Sequence, residues 1–158
     1  MRTMLICLLA ILAVVSVMAS SPATPLDQLL EQYFLIHKSL ASDSTGGIRA
    51  VAAGMEKLSR QAAGMEPQSK IQLMALSAAA AKLQTTDLKS ARNGFGELTD
   101  SLIAYLHAAG SKRNPPYQFF CPMVKKNWLQ PDKEMRNPYY GSSMLKCGEL
   151  VQSGAKTF

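Results

Sequence analysis

The sequence predicts an all-α fold: an up-down four-helix bundle with an ordered, Pro- and aromatic-rich C-terminal loop segment packed on it. Three observations predict it. Residues 25–110 carry four apolar stripes at helical spacing, divided by breaks containing glycine or proline. No strand-period alternation of any length competes with those stripes before residue 110. From Ser111 onward Pro115, Pro116, Pro122, Pro131 and Pro138 exclude a long helix, while Tyr117, Phe119, Phe120, Trp128, Tyr139 and Tyr140 supply apolar area to pin the segment down.

A chain of 158 residues, 47% hydrophobic and 18% charged, is sized for one domain with a real core. Its net charge is +6, but the 17 basic residues are scattered, and the longest basic run is Lys125-Lys126. A nucleic-acid footprint clusters such charges on one face, so nucleic-acid binding is not expected.

The first nineteen residues read as a signal peptide. Arg2 gives a positive start, Met4–Met18 is an apolar run, and Val17 and Ala19 are small residues placed for cleavage before Ser20. The run is too short for a spanning helix, so no stable membrane insertion is expected after cleavage. Cys7 would leave with it, and Cys121 and Cys147 would remain as a pair. The single-Arg start has a bacterial look, which makes the periplasm the expected destination, a compartment that favours disulfides.

Residues 20–24 form a linker, and 25–158 are expected to fold as one domain. Thr24-Pro25-Leu26-Asp27 signals a helix start, with Thr24 as cap. Leu26, Leu29, Leu30, Tyr33, Phe34, His37 and Leu40 then share one face. Gly46-Gly47 breaks the pattern before a second stripe of Ile48, Val51, Met55, Leu58 and Ala62. A third segment, 69–84, is alanine-rich, and Ile71, Met74, Ala75, Ala78 and Leu83 are expected to be its buried face. Thr86 or Asp87 caps a fourth helix that turns Leu88, Ala91, Phe95, Leu98, Leu102 and Leu106 inward and closes at Gly110. None of these stripes carries a catalytic constellation, and His37 and His107 do not form a ligand pair at helical spacing, so no enzyme is expected.

The chemistry gathers instead between Cys121 and Glu149. Cys121-Pro122-Met123 opens this stretch and Met144-Leu145-Lys146-Cys147 closes it. Proline pushes Cys121 towards extended backbone, where residues two apart point the same way. Met144 and Cys147, three apart, share a face if the chain makes a helical turn. Asn137-Pro138-Tyr139-Tyr140-Gly141 is a turn signal that would return the second pair towards the first, with Trp128 as an anchor. Two readings stay open. Two thiolates and two thioethers suit Cu(I) or Ag(I). Equally, an exported chain with two cysteines commonly joins them, for roughly 3–4 kcal/mol in a loop of this length.

CPM, Trp128-Leu129 and NPYYGSSMLKCGE together resemble the C-terminal signature of a bacterial periplasmic domain family of unknown function. That family occurs alone or fused to adaptor subunits of copper/silver-type RND efflux systems. Arg92, Phe95 and Leu98 match its R-x-x-F-x-x-L stretch. The resemblance implies a helical bundle without enzymatic activity and points to Cys121, Met123, Met144 and Cys147, with Asn137, Pro138, Tyr139 and Gly141 shaping the loop. It implies a stand-alone accessory, since this sequence has no barrel, lipoyl-like or hairpin segments of an adaptor. The expected function is thus soft-metal binding, with an efflux or metal-handling protein as partner. The alternative is a disulfide-stapled helical interaction module without metal.

Overall fold

A computed structural model describes residues 23–83, 87–110 and 115–152. The expected signal peptide, most of the linker and Thr86 lie outside the described residues. Four helices are followed by a small antiparallel sheet: α1 (Pro25–Ala41), α2 (Ile48–Met65), α3 (Lys70–Lys82), α4 (Leu88–Ala109), β1 (Tyr117–Cys121), β2 (Lys126–Gln130) and β3 (Glu149–Gln152).

Local chemistry sets the helix boundaries. Thr24 and Asp27 form a reciprocal capping box at α1: the Asp27 N–H donates to Thr24 Oγ1 (3.2 Å) and the Thr24 N–H to Asp27 Oδ2 (3.0 Å). Pro25 sits at the first helical position, where its missing N–H costs nothing. Asp87 caps α4 by accepting from the Ser90 N–H at 2.7 Å. Gly110 ends α4 in the left-handed conformation.

The all-α expectation is wrong for the last third of the chain, where β1, β2 and β3 form a sheet in the order β2-β1-β3. Phe119 pairs with Trp128 on one side and with Leu150 on the other. The prolines that exclude a helix here bracket the strands instead of interrupting them. Pro115 and Pro116 precede β1, Pro122 opens the turn after it, and Pro131 follows β2. Each intervening stretch of five residues, YQFFC or KNWLQ, is long enough for a strand and is rich in the residues strands favour. Paired strands also satisfy backbone groups that a loop packed on a bundle would leave buried without partners.

The buried face of α3 also departs from expectation. Leu73, Leu76, Ser77, Ala79 and Ala80 point inward, whereas Ile71, Met74, Ala75 and Ala78 face solvent; of the expected set only Leu83 is buried. A helix apolar on all sides has no preferred side by periodicity, so tertiary fit decides. Met55 fills the core as expected, but Met74 does not.

The sheet is bound to the helices by polar groups as well as by packing. The Leu129 N–H donates to the Tyr33 hydroxyl (3.0 Å), Tyr33 donates to Thr99 Oγ1 (2.8 Å), and Thr99 donates to the Phe95 carbonyl (2.8 Å). This buried relay joins β2, α1 and α4, with each oxygen accepting once and donating once. Tyr33 also stacks on Phe95, with ring centroids 4.9 Å apart. His37 Nε2 lies 2.8 Å from the Arg136 carbonyl. A carbonyl only accepts, so Nε2 carries the proton, and burial keeps the ring as a whole neutral.

That neutrality has a pH signature. Burial pushes the His37 imidazole down to about 4 from an ordinary value of 6.5, and the Arg136 charge adds to the effect, while the bond to the Arg136 carbonyl and the Asp132 charge oppose it. The unfolded chain therefore binds a proton near pH 6 that the folded chain does not. The contribution is fully present above pH 6.5 and falls by roughly 3 kcal/mol as pH drops through about 4. His37→Gln is expected to remove that part of the slope, read as urea midpoints of both proteins between pH 7.5 and 4.

Candidate metal centre

Both cysteines sit where the sheet meets the 131–148 segment. Cys121 is the last residue of β1 and is fully buried; Cys147 is half-buried just before β3; both are free thiols. Phe120 pairs with Glu149, so one further step of that register sets Cys121 opposite Gly148, beside Cys147. The close approach requires Gly148, because a Cβ there would overlap the Trp128 ring.

One amide joins the two ends. Asn137 is fully buried, and its Nδ2 donates to Cys121 Sγ (3.3 Å) and to the Cys147 carbonyl (2.7 Å). Its Oδ1 accepts from the Tyr139 N–H (2.8 Å), and its own N–H donates to the Leu145 carbonyl (2.8 Å). The side chain is thus satisfied in both directions, as burial of an amide demands. The Asn137 carbonyl then accepts from the Gly141 N–H (3.1 Å), closing the NPYYG turn.

Arg92 holds that turn onto the helices. Its Nε donates to the Pro138 carbonyl (2.9 Å), and its Nη2 reaches the Leu40 carbonyl (3.2 Å) and Asp43 Oδ1 (2.5 Å). Asp43 Oδ2 in turn accepts from the Ser142 N–H (2.9 Å) and hydroxyl (2.5 Å). The two Ser142 bonds, followed by Arg92, hold the Asp43 carboxyl down at about 2. Gly141 lies against this pair with φ +55, and a Cβ there would overlap the Asp43 carboxylate. The residues that match the family resemblance thus meet in space: Arg92 at Pro138, and Phe95 against Tyr139 with centroids 6.0 Å apart. Trp128 lies fully buried between Phe119 (5.2 Å) and Tyr139 (6.3 Å). Tyr140, half-buried, lends its carbonyl to the Ser143 hydroxyl (2.9 Å).

The methionines divide. Met144 is half-buried and one turn before Cys147, whose N–H donates to the Met144 carbonyl (3.0 Å). Met123 does not share a side with Cys121: the strand stops at Cys121, and Met123 stands in the β1–β2 turn, 60% exposed. Pro122 and the left-handed Lys125 (φ +53) cut the extended run short. Among the described residues no three His, Cys, Asp or Glu side chains converge, so zinc-type and calcium-type donor sets are not formed there.

Sequence reasoning missed Asp43, Ser142, Thr99 and Gln130. Gln130 is buried and ties the 131–136 loop through the Asp132 and Glu134 carbonyls (2.7 and 2.8 Å). The stem of Lys126 lies along Gly96, and its Nζ donates to the Asn93 carbonyl (3.2 Å). No family model, curated protein or solved structure matches the chain.

Asn137→Ala leaves the Tyr139 N–H and Cys147 carbonyl without their partner and opens a polar void. A loss of roughly 2–4 kcal/mol is expected, measured by urea denaturation of the reduced protein, with a separate rise in Cys121 reactivity towards a thiol reagent.

Proposed function

We propose that this chain is a periplasmic soft-metal binding accessory, taking Cu(I) or Ag(I) as cargo through Cys121 and Cys147, with Met144 as a third sulfur. The observation that carries the reading is the single Asn137 amide in contact with both the Cys121 thiol and the Cys147 carbonyl. Soft d10 ions take two or three sulfur donors, and thiolate with thioether suits Cu(I) better than harder divalent ions. Asn137 acts as a positioning residue, orienting Cys121 by its N–H and fixing the Cys147 backbone. Met123, exposed on its turn, is placed to meet the ion first and not to hold it in the interior. The resemblance of the CPM and NPYYGSSMLKCGE stretches to domains linked with copper/silver efflux supports the same reading, and an efflux or metal-handling protein would be the recipient.

The proximity of the two cysteines equally favours a Cys121–Cys147 disulfide, in which the domain is an interaction module without metal. Titrating the thiols of protein taken directly from its cell separates the readings, since the stapled form offers none.

Competition of the reduced protein against a chromophoric Cu(I) chelator is the direct test. One ion per chain is expected, with Cys121→Ser and Cys147→Ser each weakening binding at least ~100-fold and Met144→Leu by roughly tenfold. Met123→Leu is expected to slow loading and leave the equilibrium nearly unchanged. Binding no tighter than micromolar, or binding indifferent to both serine variants, removes the proposal.

A further inference from the structure

A groove of about 580 Å³ opens where the start of α4 meets the β1–β2 turn and the NPYYG turn. That volume falls in the range of small-molecule sites, roughly 300–1,000 Å³. Leu88, Val124 and Tyr140, each half-buried against the core, are its apolar walls. No cysteine or methionine among the described residues lines it, so it is a separate place from the sulfurs.

The polar groups beside these walls are donors with hydrogens unused. Lys126 is held by packing: its stem lies against Gly96, and Nζ donates to the Asn93 carbonyl (3.2 Å), which leaves its other N–H donors open. Arg92 uses Nε and Nη2 on Pro138, Leu40 and Asp43, while Nη1 meets no acceptor among the described residues. The charges do not cancel either. Arg92 is answered by Asp43 (2.5 Å). Asp87 accepts the Ser90 N–H as the α4 cap, and the nearby Lys89 charge helps to hold its carboxyl below the ordinary value. Lys126 is left over. It forms no salt bridge among the described residues; Glu97 and Asp100 act on it through their fields, and Glu97 is already held by Lys82 (2.7 Å). Lys89, Arg92 and Lys126 against Asp87 and Asp43 thus leave one positive charge. The groove beside α1 has no such excess, because Arg136 is bonded to Asp132 and Glu134, and Glu31 offsets Lys38.

We propose that this groove binds a small aromatic carboxylate, its ring against Val124 and Tyr140 and its carboxylate on Lys126 Nζ and Arg92 Nη1. A mobile surface cation adds little to binding, because ordering it offsets the attraction. Lys126 and Arg92 are already ordered by their other bonds, so a ligand meets them without that loss. One unanswered charge fits a monoanion. An inorganic anion would leave the walls uncovered, and a neutral ring would leave the open donors without an acceptor. The inference does not rest on the metal reading.

Titration of the reduced, metal-free protein with 2-naphthoate, followed by backbone amide NMR shifts, is the test. One site is expected, with a dissociation constant of roughly 0.1–1 mM for a ligand of that size and shifts centred on Leu88, Val124 and Tyr140. The neutral 2-naphthalenemethanol should bind at least ~5-fold more weakly. Lys126→Met, which keeps a stem on Gly96, should weaken naphthoate by about the same factor and leave the alcohol unchanged. Lys38→Met removes the same charge from the other groove and should change neither. The acid–alcohol comparison is made on the unmodified chain, so it stands whatever Lys126→Met does to folding. No saturable shift by about 5 mM naphthoate overturns the proposal, as does equal affinity for the alcohol. Undiminished binding to a folded Lys126→Met, shifts centred on Leu35 and Leu145, or displacement of naphthoate by equimolar inorganic phosphate overturns it too.

Discussion

The buried amide of Asn137 is the contact on which the C-terminal third depends. It has one side chain's worth of hydrogen bonds and distributes them to three segments: the end of β1, Cys147 two residues before β3, and the backbone of Tyr139. A carboxylate of the same shape could not donate to the thiol, and a leucine could neither donate nor accept. Because the interior is poor in solvent, each unmade bond there would cost the full desolvation of its partner. That is why one side chain can set the separation of two cysteines 26 positions apart.

Around this contact the structure is layered by type of interaction. The helical body is held by apolar packing, with Leu29, Ile36, Leu73, Leu76, Leu98 and Leu102 fully buried. The sheet has less apolar area and relies on directional bonds to the helices, through Tyr33, Thr99, His37, Arg92 and Asp43. Arg92 is the most economical of these, since its planar fork serves two carbonyls and a carboxylate from different segments. The acid sensitivity expected of this domain follows from the same layering: His37 must remain neutral and Asp43 must remain charged for the sheet to stay seated.

Much of the helical body is legible in the sequence because its signals are local. The Thr24–Asp27 pair, the stripe of α1 and the Asp87 cap each act within a few residues. The α3 face was not legible, because alanine fits a core and a surface equally and Leu73 and Leu76 compete with Ile71 and Met74. The sheet was hidden for another reason. Its strands are short, and their pairing depends on partners that a local pattern cannot name: Glu149 for Phe120, Trp128 for Phe119. Proline density excludes a long helix, but it leaves room for short strands between the prolines. Of the candidate site, the cysteines and the NPYYG turn were legible; the Asp43–Ser142 bond, across 99 positions, was not.

The distance along the chain between the helices and the strands they hold has a consequence for assembly. Tyr33 waits for Leu129, His37 for Arg136 and Asp43 for Ser142, each separated by 96 to 99 positions. Closing loops of that length is entropically slow compared with winding a helix. A chain delivered N-terminus first can therefore condense its helices while β1 to β3 are still arriving, leaving Phe95 and the Tyr33 hydroxyl temporarily wet. The segments that carry Cys121 and Cys147 meet across Asn137 only at the final step, so nascent or clipped molecules lacking the last strand would be folded in the body and unassembled at that end.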